Sequence, residues 1–177
     1  GAGAAALFVV VYISFMGYAG DRVTAWLHPE QDPGDTGYQI LQSLYAIGSG
    51  GFFGKGLGNS AQKVVIPEAQ NDMILSIICE ELGFFGAATI LLLFFALVAR
   101  GIILGSRAPD KFTALVIYGL TFKLAIHVFL NVGVVSGMLP NTGISLPFFS
   151  SGGSATISQM IDMGILLGLS RFCTQKK

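Results

Sequence analysis

Apolar and polar positions fall in long blocks along this chain. Mostly apolar stretches cover residues 3–19, 73–99, 112–139 and 155–170. A helix needs roughly 20 residues to cross a hydrocarbon core of about 30 Å. The middle two blocks are ample for that, and the outer two need flanking small residues to reach across. The pattern predicts an all-α integral membrane protein of about four transmembrane helices, forming a single membrane domain over residues 1–177. The polar segments between the blocks are a long loop, 20–72, a short connector, 100–111, and a turn, 140–154. Within the long loop, Asp32-Pro-Gly-Asp-Thr-Gly37 is dense in turn formers. After it, Ile40, Leu41, Leu44, Tyr45 and Ile47 recur at helical spacing, predicting a short amphipathic helix lying on the membrane.

Composition agrees with this class. The chain is 53% hydrophobic and 11% charged, outside the usual range of soluble domains. Charge sets the orientation. Arg100, Arg107 and Lys111 occupy the short connector and Arg171, Lys176 and Lys177 the C-terminus, whereas the long loop up to Asn71 sets Arg22, Lys55 and Lys63 against five carboxylates. The positive-inside rule then places the connector and the C-terminus in the cytoplasm, and residues 20–72 and 140–154 together on the extracytoplasmic face. A net charge of +0 offers nothing to nucleic acid. The first block has no Lys or Arg before it and no initiator Met, which argues against a secretory signal and for a piece of a longer chain. Cys79 and Cys173 lie at depths too different for a disulfide, so two free thiols are expected.

Candidate chemistry concentrates at the outer boundary. Asp72 is a lone carboxylate where the long loop meets the second apolar block. Half desolvated there, it can have its pKa raised toward the range useful for proton abstraction; equally, it can cap the following helix. The run Gly48-Ser-Gly-Gly-Phe-Phe-Gly-Lys-Gly-Leu-Gly58 holds six glycines in eleven residues. It reads either as a nest of backbone N–H groups for an anion, assisted by Lys55, or as a flexible hinge. Lys55, Lys63 and Arg22 are the outer-face cations available to a substrate. Glu80 and Glu81 lie two turns below Asp72 and can hold the loop, share a cation or form an interfacial pair. The stretch Leu139 to Ser154 has two prolines, three glycines and several hydroxyls. Irregular backbone there must be buried in protein or line a wet cavity. Its Ser150, Ser151 and Ser154 can contact a substrate or satisfy their own backbone.

A second polar pattern lies within the third block. Lys123, His127 and Asn131 stand at i, i+4 and i+8, a polar stripe down one helix face. A buried lysine needs a partner. Asp162 lies about 13 Å along its helix from Arg171 and Lys123 about 18 Å along its own from Lys111, so a Lys123–Asp162 pair, direct or through water, is predicted to join the last two spans in a structural role.

Several separated motifs carry a resemblance: Gly37-Tyr-Gln-Ile-Leu-Gln-Ser, Pro67-Glu-Ala-Gln-Asn-Asp72, Glu80-Glu-Leu-Gly83, Ala108-Pro-Asp, Asn131-Val-Gly-Val-Val and Leu146-Pro-Phe-Phe-Ser-Ser-Gly-Gly-Ser154. In that order they resemble the bacterial SEDS family (shape, elongation, division and sporulation; FtsW, RodA and SpoVE), and specifically the last four of its ten spans. The resemblance implies a peptidoglycan glycosyltransferase that polymerises lipid II at the outer face of the bacterial plasma membrane. Asp72 then matches the aspartate proposed to deprotonate the acceptor sugar hydroxyl, while undecaprenyl pyrophosphate leaves in an inverting transfer. Gln70, Asn71 and Met73 replace the frequent His-Thr-Asp-Phe surroundings. A class B penicillin-binding protein within the divisome or elongasome is the implied partner, and a divalent cation is the only cofactor left open. Two other functions fit the same residues: a lipid II flippase, whose path would need the Lys123 stripe, and a non-catalytic membrane scaffold. Loss of polymerisation in Asp72→Ala but not in Lys123→Ala, with lipid II supplied on the outer face, separates transfer from transport.

Overall fold

A computed structural model describes residues 20, 22–29, 36–65 and 71–174. The first apolar block, most of the 32–37 turn and residues 66–70 lie outside the described residues. Every regular element among those described is helical: α1 (Thr36–Gly50), α2 (Gln62–Val65), α3 (Ile74–Ser106), α4 (Lys111–Val135) and α5 (Gly153–Thr174). Residues 22–27 add a short helical segment ahead of α1.

α3 and α4 are both long and apolar enough to cross a bilayer. They approach each other closely at glycines, with Phe94, Leu104, Ile117 and Leu124 also buried. A β-carbon on Gly101 would lie 2.3 Å from Thr121 Oγ1, and one on Gly105 would lie 2.5 Å from Tyr118 Cε1. Phe95, Leu115 and Phe129 are 70% or more exposed. Close backbone approach at glycines with bulky side chains facing outward is how helices associate when the surroundings are lipid.

The helix ends follow local chemistry. Asp110 caps α4 by accepting from the Thr113 backbone N–H at 2.8 Å. At the other end Gly137 takes φ +72, with Met138 N donating to Gly133 O at 2.8 Å and Gly137 N to Val134 O at 2.9 Å. This Schellman arrangement stops α4 at Val135, four residues short of the span predicted to run to 139. α3 extends to Ser106, so Arg100 sits in the helix and the connector shrinks to residues 107–110.

The glycine-rich run is neither a bare hinge nor an open anion nest. α3 is broken at Gly83, whose φ of 69° and ψ of −169° are not helical. There Phe84 N donates to Gly51 O at 2.9 Å and Phe85 N to Phe52 O at 3.2 Å. The helical acceptors those amides abandon, Glu80 O and Glu81 O, are taken by Lys55 N at 2.9 Å and Gly56 N at 3.0 Å. All four backbone groups freed by the break are therefore satisfied by the loop. Side chains are excluded from this clasp: β-carbons on Gly50, Gly54 and Gly83 would lie 2.0, 2.2 and 2.3 Å from backbone atoms.

α1 also differs from expectation. Its buried face is Gly37, Ile40, Ser43, Ala46 and Gly50, while Leu44 and Tyr45 are exposed. The helix presents a stripe of mostly small residues to the protein, with Ile40 among them, and turns Leu44 and Tyr45 outward. Ser43 Oγ donates to Val135 O at 2.7 Å and ties it to the end of α4.

Candidate functional site

Asp72 lies in a turn ahead of α3. The cap position belongs to Met73, and no side chain caps the helix. The capping role open to Asp72 in the sequence is thus not the one it takes, and because it precedes the helix it shares no helical face with Glu80. α4 holds it in place: Asn131, fully buried, donates through Nδ2 to Asp72 O at 2.9 Å and to Ile144 O at 2.8 Å. One amide thereby pins together the two polar segments that the sequence expected to converge. The Ser151 hydroxyl donates to Asn71 Oδ1, a second tie between them.

The carboxylate faces Gly143. Asp72 Oδ2 lies 3.5 Å and Arg22 Nη1 4.0 Å from the point where a β-carbon on Gly143 would sit. A φ of +68 favours glycine there, while a β-carbon would meet Asp72 Oδ2 only at ordinary contact distance. Asn141, which sequence reasoning did not single out, organises this wall: its Oδ1 accepts from Gly143 N at 3.0 Å, its Nδ2 donates to Gln39 Oε1 at 3.0 Å, and its carbonyl accepts from Arg22 Nη1 at 2.6 Å. Trp26 Nε1, donating to Gly137 O at 2.7 Å, anchors the segment that carries Arg22. The Pro140-Asn-Thr-Gly143 turn signal was the available clue to Asn141.

A groove of about 470 Å³ runs along the start of α3, with Ile74, Ile77 and Ile90 along it and Lys63, Glu81 and Ser151 at its polar positions; Ser151, bonded to Asn71, links it to the Asp72 turn. An apolar trough with a cation, a carboxylate and a hydroxyl suits an amphiphile with a polar head.

The remaining candidates take other places. Lys55 is 2.7 Å from Glu80 Oε1, so its ammonium serves the protein. Glu80, at 0% exposure, also accepts from Ser49 and Ser60 hydroxyls and from Gln62 N. It holds the loop, one of the roles open to it in the sequence. Ser150 is buried and its hydroxyl accepts from Gly152 N at 3.2 Å, while Ser154 is exposed in the first turn of α5. Lys123 Nζ lies 2.6 Å from Asp162 Oδ2, the predicted bridge between α4 and α5, and His127 Nδ1 lies 2.8 Å from Lys123 O. Cys79 and Cys173 are free thiols. Among the described residues no three His, Cys, Asp or Glu side chains converge on one point.

Comparison with known proteins agrees with this architecture. Residues 2–175 match the FtsW/RodA/SpoVE family, described as cell cycle proteins. Stage V sporulation protein E of Bacillus subtilis (strain 168) is 49% identical over 85% of this chain and 42% of its own length. A probable peptidoglycan glycosyltransferase FtsW of Geobacter sp. (strain M18) is 45% identical over 96% of this chain and 47% of its own length. A chain from the solved structure of a peptidoglycan synthase complex that coordinates polymerization and crosslinking superposes with a TM-score of 0.72 at 29% identity, covering 98% of this chain and 49% of that one. This chain thus spans a little under half the length of these relatives. Matched from end to end in sequence and in helical architecture, it belongs to the FtsW/RodA/SpoVE family of membrane proteins.

Proposed function

We propose that the protein polymerises lipid II into glycan strands at the extracytoplasmic face of the plasma membrane, with Asp72 as the general base. The observation that carries this reading is the placement of the Asp72 carboxylate against Gly143, close to Arg22, on a turn that Asn71 ties to Ser151 of an amphiphile-sized groove. The names of the relatives support the same chemistry. In the transfer, the acceptor sugar hydroxyl attacks the anomeric carbon of the growing strand, its proton passes to Asp72, and the carbon–oxygen bond to undecaprenyl pyrophosphate breaks. A positioned carboxylate contributes about 10² to 10⁴ in rate to such a step. The departing pyrophosphate needs cationic support. Lys63, which lines the groove, and Arg22, whose guanidinium also holds Asn141 O, are the cations proposed for that role; Lys55 is ion-paired with Glu80. A class B penicillin-binding protein that cross-links the product is the proposed partner.

Transport of the lipid-linked precursor is the weaker reading, since the lysine it would draw on, Lys123, is ion-paired with Asp162. The test uses the full-length parent in liposomes with lipid II already on the outer leaflet. Glycan formation should fall at least about 100-fold in Asp72→Asn. Retention of wild-type polymerisation by that variant would remove Asp72 from the chemistry.

A further inference from the structure

A second compartment lies behind the Asp72 wall. A cavity of about 250 Å³ runs between α4, α5 and residues 143–150, and Gly143 is part of its lining. The same glycine is the point that Asp72 Oδ2 approaches, so carboxylate and compartment are separated by one residue without a side chain. At about 30 Å³ per water the space holds roughly eight waters. That is enough for one pyranose ring and too little for a drug-sized ligand.

The lining chemistry narrows the occupant. His127 Nδ1 lies 2.8 Å from the Lys123 carbonyl oxygen. A carbonyl only accepts, so Nδ1 carries a hydrogen, and the tautomer this selects presents Nε2 as an acceptor. Ser158 Oγ accepts from Lys123 Nζ at 3.4 Å, leaving its own hydrogen to donate, while the Thr156 hydroxyl is spent on Ser150 O at 3.1 Å, leaving its oxygen to accept. Gln159, buried in the same wall, carries both functions. Charge is cancelled, because Lys123 is paired to Asp162 at 2.6 Å. Donors and acceptors without surplus positive charge suit a neutral polyol; a phosphate site would carry uncommitted cations. Phe148 adds an aromatic wall, held at φ +66, a conformation rare for a bulky residue.

We infer that this compartment is a subsite for a neutral pyranose of the substrate, adjoining the sugar that reacts at Asp72, with His127 as a specificity-determining residue. The inference rests on the polymerase reading. Removing one neutral hydrogen bond from a desolvated site weakens binding about 3- to 10-fold.

The experiment uses the full-length parent and two assays. In polymerisation, His127→Leu should raise KM for lipid II by that factor with kcat little changed, and His127→Gln, which restores a hydrogen-bonding group, should recover it. In equilibrium binding, which needs no turnover, the soluble disaccharide N-acetylglucosaminyl-N-acetylmuramic acid should lose affinity by the same factor while inorganic pyrophosphate does not. Gln159→Leu provides the same comparison on α5 should His127→Leu fail to fold. Unchanged disaccharide affinity in a folded variant means the cavity holds only water and overturns the inference. Selective loss of pyrophosphate binding makes it an anion site and overturns it too. Wild-type protein that binds the disaccharide through His127 without polymerising would sink the polymerase reading and leave the subsite standing.

Discussion

The clasp between the glycine-rich loop and the broken helix α3 can be dissected with three alanine substitutions that differ in one respect at a time. Gly48 lies in α1 with nothing within 4 Å of its β-carbon position and no positive φ. Gly48→Ala should therefore stabilise by up to about 1 kcal/mol through helix propensity. Gly51 is equally open but sits at φ +56; alanine there bears only the left-handed penalty, about 1–2 kcal/mol. Gly54 sits at φ +75, and its β-carbon would lie 2.2 Å from Glu81 O. That atom is backbone and cannot swing aside, so the loop must lift off the break. Lifting it releases the four loop–helix bonds of Gly51 O, Phe52 O, Lys55 N and Gly56 N. At about 1 kcal/mol net each, together with the left-handed penalty, Gly54→Ala should cost about 6 kcal/mol as an upper value. Thermal unfolding of the detergent-solubilised parent reads the order, and amide exchange at Phe84 and Phe85 reads the clasp directly. Equal destabilisation by Gly51→Ala and Gly54→Ala, with both amides still protected, would refute the reasoning.

The Lys123–Asp162 pair is partly exposed, at 40% and 20%, and Lys123 borders the polar cavity. Asp162→Ala should therefore destabilise by only about 1 kcal/mol, and a double-mutant thermal-unfolding cycle with Lys123→Leu will measure the coupling; a loss of several kcal/mol would show that the pair is sealed from water. Asn131→Leu removes the bonds that Asn131 Nδ2 donates to Asp72 O and to Ile144 O and should abolish most glycan synthesis while circular dichroism shows the helices intact. Asp110 is held below its ordinary value of 3.8 by the Thr113 backbone N–H and then its hydroxyl. A depressed folded value means that its contribution is fully present above pH about 4 and is lost as pH falls through the lower folded value. Asp110→Asn should remove that acid-side dependence from hydrogen exchange in the first turn of α4; an unchanged profile would show that the cap is not the titrating group.

Much of this architecture was written in local properties of the chain. Block hydrophobicity determined helices that face lipid, because an unpaired backbone has no partner in hydrocarbon and must bond within its own segment. Arithmetic at 1.5 Å per residue, together with the cost of an unpaired charge, determined the pairing of Lys123 with Asp162. The motif around Asp72 marked the acid. Tertiary structure alone decided who satisfies whom. Lys55 looks like a substrate cation until Glu80, 25 residues away, claims it; the glycine amides look like an anion nest until α3 breaks and offers them carbonyls. Asn131 looks like one more residue of a membrane stripe until it bonds a turn 59 positions earlier. A hydrogen-bonding group has the same chemistry wherever it stands in the sequence, and its role is settled by which partner the packed backbone brings within about 3 Å.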